Sequence, residues 1–273
     1  MNNQQQREIP RNTMSGSLRA AKRLGFEPKT VIDVGAALGT FDLYETFPEA
    51  RHLLIEPIAE NEPYLAKICR HLTSAEYIIA AATKASGIFT LSVSPSLIHS
   101  SASQGVNADS SNPYLRNIRA ITLDEICRER NLPGPYLIKV DVDGNELDVL
   151  AGATGILQQT EYVIVEVTLF GQIYDIIHFM KSQGFAAYDI VDLGYRLLDG
   201  ALWQIDMAFV KESGLFRTDK SYVAQQQDVA SLNSHLQAYR EALIAHIETH
   251  YSDPVEAEPQ ISTTGFTEEY VII

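Results

Sequence analysis

The 273-residue chain is poor in cysteine, in tryptophan and in positive charge. Its two cysteines, Cys69 and Cys127, lie 58 positions apart and form no Cys-x-x-Cys pair. They cannot frame a metal knuckle or a disulfide scaffold, and they fit a reducing, cytoplasmic setting. Lys and Arg number 21 against 35 Asp and Glu, a net charge of -14. That balance argues against nucleic acid as a partner, because binding along a phosphate backbone draws on basic side chains. No run approaches the roughly 18 apolar residues of a membrane span. Met1-Asn2-Asn3-Gln4-Gln5-Gln6 lacks the apolar core of a secretory signal. What is present is ordinary: 45% hydrophobic residues with 16 Gly and 11 Pro exclude fibrous and wholly disordered classes.

Charge is unevenly spread, with six Lys/Arg against two acids in residues 1–30, and seven acids without Lys or Arg in 241–273. This suggests a basic N-terminal arm (1–25), a main domain (26–218), a C-terminal helix (219–251) and an acidic tail (252–273). Short β-branched runs alternate with helical patterns through the main domain. Strands are expected at 30–34, 52–57, 77–81, 136–141 and 162–167, with 88–93 as an added strand. Helices are expected near 38–47, 58–71, 144–157 and 173–183, the last stopped by Gly184. Thr122 and Glu125 have capping-box spacing for another helix. Residues 94–120 read as a long Ser- and Asn-rich loop. The late runs at 185–191, 194–198 and 205–210 follow one another without helices, which predicts an antiparallel edge on a parallel α/β sheet.

Ligands of open α/β sheets bind at the carboxyl ends of strands. Here Asp33, Glu56, Asp141 and Glu166 end four strands. The sharpest signal is Asp33-Val34-Gly35-Ala36-Ala37-Leu38-Gly39-Thr40: a glycine turn that leads from a strand into a helix. Glu56, 21 residues after Gly35, ends the next strand, where an acid can grip ribose hydroxyls. A dinucleotide fingerprint would place glycine where Ala37 stands, and an acid just before the turn repels a pyrophosphate. The same acid suits the ammonium and sulfonium of S-adenosylmethionine.

Val31-Ile32-Asp33-Val34-Gly35-Ala36-Ala37-Leu38-Gly39 resembles motif I of class I S-adenosylmethionine-dependent methyltransferases. Ile121-Thr122-Leu123-Asp124, Lys139-Val140-Asp141-Val142-Asp143-Gly144-Asn145-Glu146 with its Leu150-Ala151-Gly152-Ala153 helix end, and Val163-Ile164-Val165-Glu166-Val167 are similar to the FkbM family. The resemblance runs from about 30 to 211. Ala37 stands where Asn is usual, and Asp143 where Glu or Gln is commoner. The resemblance implies a Rossmann-like class I methyltransferase fold with a mostly parallel seven-stranded sheet and an antiparallel edge. It implies S-adenosylmethionine held by Asp33, Gly35, Ala36, Ala37, Thr40, Phe41, Glu56, Pro57, Ala81 and Asp141. It also implies O-methylation of a small-molecule hydroxyl, on a polyketide or a sugar.

A hydroxyl is a weak nucleophile, so a base beside it helps. His99, Asp143 and Glu166 are the candidates; Asp143 could instead cap the following helix, and Glu146 is expected to brace that loop. Lys139 is expected to pair with a buried acid or to snorkel. Asp141, Asp143 and Glu166 could together face a divalent cation, but without a histidine partner no metal centre is read here. A homodimer is left open. So are a nicotinamide-dependent oxidoreductase on the same fold and a non-catalytic adaptor that docks through the helix at 222–250.

Overall fold

The computed structural model describes residues 10–97, 100–103, 112, 114–221 and 226–250. The chain divides into two units, Met1–Thr218 and Asp219–Ile273. The first begins with helix α1 (Met14–Arg23), strand β1 (Thr30–Val34), α2 (Phe41–Thr46), β2 (Arg51–Glu56), α3 (Glu62–His71) and β3 (Ala75–Ile79). Four strands and a helix follow: β4 (Ala81–Ala82), β5 (Gly87–Val93), β6 (Ser100–Ser103), β7 (Leu115–Ile121) and α4 (Leu123–Glu129). The unit closes with β8 (Tyr136–Val140), α5 (Glu146–Ala151), β9 (Thr160–Thr168), α6 (Ile173–Ser182), β10 (Phe185–Tyr195) and β11 (Leu202–Lys211). In the second unit α7 spans Gln226–His250, with Leu232, Leu236, Tyr239, Leu243 and Ile247 at helical spacing.

The main sheet has seven strands in the order β10-β11-β9-β8-β1-β2-β3. All neighbours are parallel except β11, which runs antiparallel to both β9 and β10. This is the Rossmann-like, mostly parallel sheet with a reversed strand near one edge. β1, β8 and most of β9 are buried on both faces, which explains their mostly apolar sequences. One face, with Ile32, Val34, Ile55, Ile138 and Val165, packs against Leu123, Val149, Ile176 and Met180 of α4, α5 and α6. The other, with Val31, Leu54, Leu137 and Ile164, packs against Leu18, Leu43 and Leu65 of α1, α2 and α3.

Two stretches fold differently from the sequence reading. The residues read as a basic arm include α1, whose Met14, Leu18 and Ala21 belong to the core. Thr13 caps it by accepting from the Gly16 N–H at 3.1 Å, and Ser17 Oγ shares a 2.6 Å hydrogen bond with the Tyr162 hydroxyl. Its small residues, Gly16, Ser17, Ala20 and Ala21, hide its apolar stripe in a composition that looks like a linker. The stretch read as a loop contains β6 and β7, which join β4 and β5 in a second sheet, ordered β4-β7-β5-β6. In β7, Leu115-Arg116-Asn117-Ile118-Arg119 stays partly or fully exposed, and burial begins only at Ala120.

The Thr122 cap forms as spaced, its hydroxyl accepting from the Glu125 N–H at 3.1 Å. The return leg of the box runs through Ser86, which accepts from the Thr122 N–H at 3.3 Å and donates to the Glu125 carboxylate. No helix of the described residues is long and apolar enough to cross a membrane.

If α1 is core, Leu18→Ala should cost about 2–5 kcal/mol of unfolding free energy, because Leu18 is fully buried. Urea titration followed by circular dichroism measures it. An unchanged midpoint would mean that the segment is a detachable arm.

Candidate functional site

The carboxyl ends of β1, β2, β8 and β9 converge on a cavity of about 240 Å³. Val34, Gly35 and Ala37 line one side, with Ile55, Glu56, Pro57 and Ile58 beside them. Ala80, Ala81, Ala82, Leu91 and Leu97 supply an apolar wall, and Asp141, Val142, Asp143, Asn145 and Glu166 close the far side. An apolar wall beside a few converging carboxylates is the lining expected of a small-molecule site. A roomier groove of about 600 Å³ between α2 and α3 is lined by Leu38, Phe41, Tyr64, Ile68 and Leu72, with Glu45, Lys67 and His71 among its polar residues. No strand end reaches it.

The glycine turn is built for contact between backbones. Gly35 has φ +77°, and a Cβ there would lie 1.7 Å from the Asp141 carbonyl oxygen. Gly35 therefore lets the β1 and β8 turns touch. The Asp141 N–H donates to the Val34 carbonyl at 3.0 Å, and the Gly35 and Ala36 N–H groups both donate to Ile55 O. Ala37 sits at φ +44°, a left-handed conformation that costs an L-residue about 1–2 kcal/mol. Its N–H is held by Glu56 Oε2 at 2.8 Å. The other Glu56 oxygen accepts from the Ile58 N–H at 2.9 Å and from Asn61 Nδ2 at 3.3 Å. Burial raises the Glu56 pKa, against the downward pull of those three hydrogen bonds. A carboxylate has about four acceptor positions, so one remains for a ligand hydroxyl.

Asp33 is placed elsewhere. It is fully buried and belongs to the α1–α3 face of the sheet, one residue out of step with Val34. Its carboxylate accepts from the Tyr44 hydroxyl at 2.5 Å and from the Thr40 hydroxyl at 3.1 Å. Lys139 Nζ lies 3.8 Å from Asp33 Oδ1 and 2.9 Å from Asp141 Oδ2, and it also donates to Gly35 O at 3.4 Å. Burial opposes the Lys139 charge, but Asp33 and Asp141 outweigh it and raise its pKa. Asp33 thus anchors the turn from behind.

The far side is rich in acid. Gln204 Nε2 donates to Glu166 Oε1 at 2.7 Å. Burial, then Asp141, Asp206, Glu146 and Asp143, push the Glu166 pKa up to about 8. Asp206, opposite Glu166 on β11, is pushed up to about 7 by burial; Lys139 pulls it down while Asp141 and Asp192 push it up. Glu146 braces the loop before α5: Oε1 accepts from the Val142 and Gly144 N–H groups at 3.2 and 3.0 Å, and Oε2 from Gln172. The N-cap residue of α5 is Asn145, and Asp143, at φ +54°, lines the cavity.

Of the sequence-predicted residues, the cavity brings together Gly35, Ala37, Glu56, Pro57, Ala81, Asp141, Asp143 and Glu166. Asp33, Ala36, Thr40 and Phe41 do not line it. Ala36 is buried in the core, while Thr40 and Phe41 line a recess of about 360 Å³ that also takes in Met14, Asp42, Lys139, Asp141 and Asp206. His99 lies outside the described residues. Of the apolar wall the sequence reading named Ala81 but not Ala80, Ala82 or Leu91. It also missed Asp206, whose neighbours only the strand register reveals. Among the described residues, no three His, Cys, Asp or Glu side chains are arranged to hold a metal ion.

Residues 33–187 match the model of the methyltransferase FkbM domain. A segment of 77 residues is 38% identical to the hexuronic acid methyltransferase AglP of Haloferax volcanii, covering 28% of this chain and 30% of that protein. The matched segment thus spans less than a third of the relative's length. Among solved structures, magnesium protoporphyrin IX methyltransferase (ChlM) of Synechocystis is similar over 72% of this chain and 76% of its own, at TM-score 0.40 and 11% identity. The fibrillarin of Aeropyrum pernix covers 70% and 74%, at TM-score 0.40 and 14% identity.

The Glu166 pKa has a consequence for stability. Its folded pKa of about 8 lies above the ordinary 4.5, so its contribution is full below pH 4.5 and is lost as pH rises toward 8. Glu166→Gln should therefore gain melting temperature relative to the parent as pH is raised from 5 to about 8.5. Differential scanning calorimetry at both ends checks this. Parallel pH curves for the two proteins would refute the raised pKa.

Proposed function

This chain belongs to the FkbM methyltransferase family, and from that premise we propose that it methylates a hydroxyl of a small molecule, with S-adenosylmethionine as donor. The acceptor is a sugar or a hydroxylated natural product. The observation that carries the reading is the division of one cavity into a Glu56 side and an Asp141–Glu166 side. Glu56 keeps one acceptor position for a ribose hydroxyl. Ile55, Ile58 and Ala80–Ala82 offer an apolar seat for adenine, and the acids across the cavity suit a cationic sulfonium. The donor set fits this cofactor, which when bound supplies an electrophilic methyl group. The relative named as a hexuronic acid methyltransferase favours a sugar as acceptor.

Methyl transfer is an in-line displacement, so the chain's first task is to align the acceptor oxygen and exclude water. Its second is to receive the hydroxyl proton. Glu166 is the base of this reading: a carboxylate with a raised pKa holds a proton better than an ordinary one, and Gln204 fixes its orientation. Asp143 lies beside it at the acceptor side. Asp141, tied to Lys139, serves to hold the donor.

The test begins with calorimetry, in which S-adenosylhomocysteine should bind and NAD should not. A panel of hydroxylated sugars and metabolites with methyl-labelled donor then finds the acceptor. On that acceptor, Glu166→Gln should lower kcat by about 10²–10⁴-fold while S-adenosylhomocysteine affinity stays nearly intact. Glu56→Ala should show the opposite split, weakening cofactor binding by roughly 1–3 kcal/mol. NAD binding in place of S-adenosylhomocysteine would overturn the reading, and full turnover by Glu166→Gln would remove Glu166 as base.

A further inference from the structure

Glu166 and Asp206 face each other directly across the β9–β11 pair. Directly opposed residues of an antiparallel pair have Cβ atoms about 4.5–5.5 Å apart and share one face of the sheet. Two carboxylates so placed and largely shielded from water cannot both ionise cheaply. The surroundings offer little relief. Asp141 just past β8, Asp143 and Glu146 from the loop and α5, and Asp192 from β10 all add negative potential. Asp33 lies on the same face at β1. Lys139 acts on Asp206, and its amine is bound to Asp141 and the Gly35 carbonyl. Glu166 lines the cavity and Asp206 the recess on the far side of Asp141, so the pair spans both.

We propose that Glu166 and Asp206 share one proton before the donor binds and release it to solvent when the positive sulfonium arrives, which leaves the pair ready to take the acceptor's proton. The inference rests on the donor and the base assigned above. Asp206 is then a positioning residue: it touches neither donor nor acceptor, and it sets the charge of Glu166. The balance closes over one turnover. The acceptor oxygen forms a bond to the methyl carbon, and the carbon–sulfur bond breaks with its electron pair staying on sulfur. The hydroxyl proton passes to the carboxylate pair. The product thioether carries no charge, so the pair keeps that proton until the next sulfonium displaces it. The raised pKa values of both acids agree with a shared proton.

Proton release is measurable without knowing the acceptor. The full chain is titrated at pH 7 with S-adenosylmethionine, and separately with S-adenosylhomocysteine, in phosphate and in Tris. These buffers differ in ionisation heat, and the difference in apparent binding heat counts protons. S-adenosylmethionine should release on the order of one proton per site and the neutral thioether close to none. Asp206→Asn should remove more than half of that release while S-adenosylhomocysteine affinity stays within about threefold, which shows that the site is still folded. Equal release with both ligands, or undiminished release in a folded Asp206→Asn protein, would overturn the shared proton. A Glu166→Gln protein with full turnover, beside a parent that releases the proton, would overturn the base and leave the pair standing. Loss of turnover in Glu166→Gln, with no release in the parent, would do the reverse.

Discussion

One buried amine holds the ligand-facing edge of this sheet together. Lys139 is 4% exposed and sits between the fully buried Asp33 and the half-open Asp141, with the Gly35 carbonyl as a third partner. Taking a lysine out of water is costly, and the cost is met only while its partners stay in place. Removing it would strand the Asp33 charge in the core, a loss of about 3–5 kcal/mol by the precedent of broken buried pairs. The same amine fixes how the β1 turn lies against the β8 turn, and so where Gly35, Ala37 and Asp141 stand around the cavity. The backbone contact at Gly35 and the lysine bridge are two halves of one joint.

Around that joint the acids divide into different duties by geometry. Glu56 ties the β1 turn to the residues after β2 through three hydrogen bonds. Asp33 works from the α1–α3 face, bound by Thr40 and Tyr44 and beside Lys139, and Glu146 clamps the loop before α5. These three are largely spent on structure. Of the acids that line the cavity or its adjoining recess, Asp141, Asp143, Glu166 and Asp206 crowd the end away from Glu56. A site that gathers negative charge where it has so little local compensation is matched to a cation, and it penalises an anionic ligand at that end.

Much of this was legible in the sequence, and its failures have physical causes. Thr30–Val34, Tyr136–Val140 and Tyr162–Val167 announced themselves because strands buried on both faces are mostly apolar, each broken by a single charged residue near its carboxyl end. Glu56, Asp141 and Glu166 stood out because each breaks such a run at its carboxyl end. Asp33 was misplaced by a single step of the pleat: it shares parity with Val31, so it turns toward α2 while Val34 packs on the opposite face. β7 was missed because five of its seven residues are partly or fully exposed, so no apolar run marks it. α1 was missed because glycine, serine and alanine do the packing there. Asp206 lies inside Gln204-Ile205-Asp206-Met207, where nothing local distinguishes it from a solvent-facing strand position.

The reversed strand also decides when the site comes into being. β11 lies between β9 and β10 in space but follows both in the chain, beginning 34 residues after β9 ends at Thr168. As the chain leaves the ribosome, β9 has an unpaired flank until that last strand slides in. Glu166 is made early but meets Asp206 only at the final insertion. A chain cut short of β11 carries every residue of the glycine turn and every cavity-lining acid, yet lacks the strand residue that stands opposite Glu166. Completion of the sheet and the meeting of Glu166 with Asp206 are therefore a single late event.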